Sequence, residues 1–98
     1  MTNVIRLVDA DGTDQRHITA EITSTGDLLL SGQDLGPLVR EVWGDSDYEY
    51  WLTVPASEKD RVLLMLLEIA YAGDEQAVNK LREALDSRGI PCKFDSYA

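Results

Sequence analysis

From Arg16 to Thr23 the chain alternates strictly, with Ile18, Ala20 and Ile22 on one side and His17, Thr19, Glu21 and Thr23 on the other. That is the period of a strand with one face turned to an apolar layer. Upstream, Val4, Ile5, Leu7 and Val8 form an apolar run that stops in Asp9-Ala10-Asp11-Gly12-Thr13-Asp14. Downstream, Ser24-Thr25-Gly26-Asp27 is turn chemistry and leads into Leu28-Leu29-Leu30-Ser31. Residues 4–31 therefore predict a three-stranded antiparallel meander.

Beyond Gly32 the period changes. Leu35, Leu38, Val39, Val42 and Trp43 fall on one helical face, with Pro37 in the first turn and Gly44 as the stop. Tyr48 to Val54 is aromatic and β-branched, which suits a strand ended by Pro55. Ser57 with Asp60 resembles a capping box that opens a helix through Ala72. Its body, Val62 to Tyr71, is apolar almost all round, so it is either the central core helix or an oligomer interface. In the second case a homodimer forms through the Val62–Ala72 segment. Gly73 breaks that helix, and Asp74 can cap a third one whose apolar stripe is Val78, Leu81 and Leu85. Gly89, Ile90 and Pro91 close it, and the alternation of Cys92 to Tyr97 predicts a last strand. The expected fold is a single α+β domain over residues 1–98. It has a five-stranded, mostly antiparallel sheet with three helices packed on one face, in the order βββ-α-β-αα-β.

Charge narrows the classes of partner. Eighteen acidic side chains against 9 basic ones give a net charge of −9 over 98 residues, 44% of them hydrophobic. One core can be filled, and disorder is not expected. The basic residues are scattered, which disfavours direct nucleic-acid binding and anionic membranes and points instead to a basic protein partner. The single cysteine, Cys92, allows no intrachain disulfide. It shares a face with Phe94 and reads as a buried structural residue. Met1-Thr2-Asn3-Val4 carries no basic and apolar signal regions, so a cytoplasmic setting is expected.

The inventory for catalysis is thin. The Asp9 to Asp14 turn places Gly12 directly after the second aspartate and Ala20 at the twelfth position, which is the wrong register for a calcium loop. His17 is the only histidine and lies opposite the Ile18 and Ile22 face, so neither a zinc set nor a nucleophile with its base is assembled. No phosphate-binding glycine loop is present. No catalytic residue, metal or cofactor is therefore expected. The distinctive segment is Trp43-Gly44-Asp45-Ser46-Asp47-Tyr48-Glu49-Tyr50-Trp51, with four of the seven aromatic residues and three carboxylates. If Tyr48, Tyr50, Leu52 and Val54 turn to the core, Glu49, Trp51 and Thr53 turn away from it. Asp45, Asp47, Glu49 and Trp51 are then the candidate binding residues, an aromatic anchor ringed by one sign of charge.

The stretch Ser31 to Pro55, through Gly44-Asp-Ser-Asp-Tyr-Glu-Tyr-Trp51, resembles small uncharacterised bacterial proteins with no known activity, a likeness that implies only a bacterial cytosolic origin. In size, acidity and layout the chain is also similar to the immunity proteins that neutralise bacterial toxins. The expected function is a non-catalytic acidic protein-binding module, an inhibitor or immunity-type protein masking a basic site. The alternatives are a small carboxylate-dependent hydrolase and a structural homodimer.

Overall fold

A computed structural model describes residues 4–44 and 47–97. The chain divides into two compact units at Val62 and Leu63, and each is taken by itself. The first is an antiparallel meander in the order β1-β2-β3-β4, formed by β1 (Val4–Ala10), β2 (Gln15–Ile22), β3 (Leu28–Leu35) and β4 (Asp47–Val54). A seven-residue helix, α1 (Pro37–Trp43), connects β3 to β4. The α+β class is as expected, with a four-stranded sheet rather than a five-stranded one.

The pattern of β1 has a local cause. Arg6 pairs with Thr19 and Val8 with Ile18, so Leu7 is an extra residue in a β-bulge. Without that insertion the apolar run Val4-Ile5-Leu7-Val8 could not alternate. With it, Ile5 and Val8 join Ile18 and Ala20 on one face, while Arg6 and Asp9 join Thr19 and His17 on the other. Through β3 and β4 the apolar face continues as Leu28, Leu30 and Gly32, then Tyr50, Leu52 and Val54. The predicted division of β4, with Tyr48, Tyr50, Leu52 and Val54 opposite Glu49, Trp51 and Thr53, is the observed one. Ala20, at the middle of the apolar face, is the only buried hydrophobic residue among those described.

Glycine at position 32 has a packing reason. A Cβ there would fall inside the Tyr50 ring, which lies across the strand at this point. Tyr50 donates its hydroxyl to Asp34 at 3.0 Å, and the Arg16 guanidinium grips the same carboxylate through two bonds of 2.9 and 3.0 Å. At that end of the face α1 lies against β3 and β4, where Trp43 stacks on Tyr48 with centroids 4.6 Å apart. The Asp14 carboxylate accepts the Leu38 amide at 3.0 Å, and Gly44 closes α1 in the left-handed conformation at φ 79°.

After Pro55 the expected capping box does not form. Residues Ala56–Glu58 make a 3₁₀ turn with no side-chain cap from Ser57, and the Ala56 amide is taken by the Asp27 carboxylate at 2.9 Å. The next helix, α2 (Lys59–Tyr71), crosses the division between the units. The second unit adds α3 (Ala77–Ser87). Asp74 accepts the Gln76 amide at 2.9 Å just before α3, and Lys80 reaches back to it at 2.7 Å. At the far end Ile90 donates to the Leu85 carbonyl and Gly89 to that of Asp86, with Gly89 at φ 67°, a Schellman closure.

The predicted fifth strand, Cys92 to Tyr97, is corrected. The segment is neither helix nor strand, because alternation makes a strand only where an edge supplies backbone partners. Its apolar positions serve another purpose: Cys92 and Phe94 line a groove of about 180 Å³ with Val78, Leu81 and Leu85 of α3. Arg82 lies over the Phe94 ring at 4.3 Å. Cys92 is exposed rather than buried, with its sulfur 3.8 Å from Asp86. No helix among the described residues is long and apolar enough to cross a membrane.

Candidate functional site

The polar face of the sheet is built in rows. Cross-strand pairing puts Asp9, His17, Gln33 and Glu49 side by side, and the next row is Arg6, Thr19, Ser31 and Trp51. Neighbouring strands lie about 4.8 Å apart, so each row is a ladder of adjoining side chains. Small residues occupy the middle of the second row and a large indole its end. The result is a groove of about 240 Å³, open to solvent and lined by His17, Thr19, Ser31, Gly32, Gln33, Glu49 and Trp51.

Of the predicted binding residues, Asp47, Glu49 and Trp51 share this face, and Glu49 and Trp51 line the groove itself. Trp51 is 64% exposed, although it sits in the middle of a strand. Asp47 accepts a hydrogen bond from the Gln33 amide at 3.2 Å, which leaves the Gln33 oxygen as an acceptor. Asp45 lies outside the described residues. Trp43, in the same sequence segment, stacks on Tyr48, whose strand position belongs to the opposite face.

Sequence reasoning missed the surroundings of His17. The bulge at Leu7 shifts the pairing so that Asp9, not Val8, faces His17. Nδ1 of His17 lies 2.7 Å from Asp9, while Nε2 is 3.3 Å from the Gln15 side-chain oxygen and 3.8 Å from Asp11. The hydrogen bond from His17 holds the Asp9 carboxyl below its ordinary range against slight desolvation, helped by Arg6 at 3.1 Å. Ligand atoms of Asp9, Asp11 and His17 lie within 4.8 Å of one another, so this exposed corner offers a cation three donors. His17 already spends one ring nitrogen on Asp9, which orients the ring and leaves Nε2 for other contacts. The signal in the sequence was the non-alternating run before Asp9, since two apolar pairs out of step require a bulge.

A second polar cluster lies on the other face. There the Arg16 hydrogen bonds hold the Asp34 carboxyl below its ordinary range, partial burial opposes them, and the Tyr50 hydroxyl assists. Burial first, and then the bond to Asp34, push the Tyr50 phenol up. These groups satisfy one another and brace β2, β3 and β4 across the sheet.

Compared with protein-family models, curated proteins and solved structures, the chain matches none.

Proposed function

We propose that this chain is a non-catalytic acidic protein-binding module of inhibitor or immunity type, which covers a basic site on its partner with the polar face of the sheet. The observation that carries the reading is Trp51: a 64% exposed indole on the strand face that also presents Asp47 and Glu49. An exposed aromatic flanked by carboxylates supplies an anchor together with the charge that steers a basic partner onto it. The test is titration with basic peptides of alternating lysine or arginine and glycine. Affinity falls steeply as salt rises from low ionic strength to about 0.3 M, where the screening length is under about 10 Å. Asp47→Lys with Glu49→Lys weakens it about tenfold or more, and Asp60→Lys with Glu68→Lys, a matched charge change on α2, weakens it less. Equal loss from both pairs, or binding indifferent to salt, overturns the reading.

Two observations keep the alternatives testable. The Asp9, Asp11 and His17 corner is what a carboxylate-dependent hydrolase would use, with Asp9 orienting His17. A module that only binds protein keeps its melting temperature when Zn²⁺ or Mg²⁺ is added, and a rise lost in His17→Ala would favour the enzyme. The apolar residues of the Val62–Ala72 segment favour a homodimer as an added property.

A further inference from the structure

The groove beside Trp51 has a size and a set of acceptors that suit one kind of guest. We infer that it takes a single arginine side chain of the partner, with the guanidinium flat on the Trp51 indole and its N–H groups shared between Glu49 and the Gln33 oxygen. The inference rests on the protein-binding reading above and names the group recognised.

Volume is the first argument. At about 240 Å³ the groove falls below the roughly 300–1,000 Å³ of pockets that enclose a drug-sized molecule. It is also open, so its guest arrives on a larger body. Charge is the second. The polar face carries Asp9, Glu21, Asp47 and Glu49 against Arg6, and Arg6 is already bound to Asp9. Among the described residues, Glu49 has no hydrogen-bond or ion-pair partner, although it is exposed at the groove wall. A carboxylate beside an open indole is a setting for a cation over a ring. The third argument separates arginine from lysine. Glu49, the Gln33 oxygen, Ser31 and Thr19 are acceptors spread along two rows, and a planar fork with five donors can meet several while stacking, whereas an ammonium is a point charge.

The experiment uses the full chain carrying Trp43→Phe, so that Trp51 is the only tryptophan. Blocked five-residue glycine peptides with arginine, lysine or citrulline at the centre are titrated while the Trp51 indole N–H and fluorescence are followed. The arginine peptide moves both signals at concentrations several-fold lower than the lysine peptide, and citrulline, which is uncharged, moves neither. Trp51→Ala weakens the arginine peptide about threefold to fivefold, read from amide shifts around Glu49, and Trp51→Phe restores part of the loss. Glu49→Gln weakens it as well, with Asp60→Asn as the control. Equal response to arginine and lysine overturns the guanidinium assignment and leaves the module standing. Binding that moves other residues but not Trp51 removes the groove. No response to any basic peptide, including the longer ones, removes both readings.

Discussion

At the scale of single residues, Gly32, Tyr50, Asp34 and Arg16 form one unit. The ring occupies the space that any side chain at position 32 would need, so Gly32→Ala destabilises the sheet by about 1–3 kcal/mol through overpacking. Tyr50→Phe, which keeps the ring and loses the bond to Asp34, costs about 1 kcal/mol. Chemical denaturation of the two variants checks both. The same cluster sets a dependence on pH. Asp34 has a folded value below its unfolded one, so between the two the native state binds fewer protons than the unfolded chain. Its contribution is fully present above about pH 4 and is lost as pH falls through the lowered value. Asp34→Asn therefore flattens part of the acid limb of the stability curve below about pH 4, and Asp9 and Asp74, lowered in the same sense, contribute with the same sign. An unchanged acid limb would remove this account of Asp34.

At the scale of elements, what the sequence revealed depended on whether the cue was local. The strict alternation of β2 and the Pro37 to Gly44 bounds of α1 are written in consecutive residues, and both elements form as read. The sequence pattern ends the third strand at Ser31, before Gly32. In the fold β3 runs on to Leu35, since the glycine answers to Tyr50 and the aspartate to Arg16, partners distant in sequence. That hidden half of β3 supplies Gln33, so the Glu49 and Trp51 wall and the His17 and Thr19 wall of the groove were legible and this part of the floor between them was not. The start of the second long helix shows the same limit. Ser57 carries the local signature of a cap, yet Asp27, from the turn between β2 and β3, takes the Ala56 amide at 2.9 Å. Asp27→Ala should thus cost about 0.5–2 kcal/mol, and Ser57→Ala should stay within about 0.5 kcal/mol of the parent. A reversed order in denaturation midpoints would restore the capping box.

At the scale of the whole molecule, two features pull in opposite directions. A net charge of −9 favours dispersed monomers through self-repulsion. Against it stands α2, where Leu63, Leu64, Met65, Leu66 and Ile69 are all exposed. Each such side chain gains about 1.5–3 kcal/mol on burial, whereas repulsion between surface charges is screened beyond about 8 Å at physiological salt. Burial of even part of this stripe offsets the repulsion, which supports the homodimer proposed through Val62–Ala72. Sedimentation should find a dimer that tightens as salt rises, the reverse of the salt response expected for a basic partner on the sheet face. Leu64→Glu with Ile69→Glu should return it to monomer while the Trp51 response to the arginine peptide persists, because the groove is built from β2, β3 and β4 alone. A parent chain that sediments as a monomer at every concentration and salt would end the homodimer reading and leave the groove untouched.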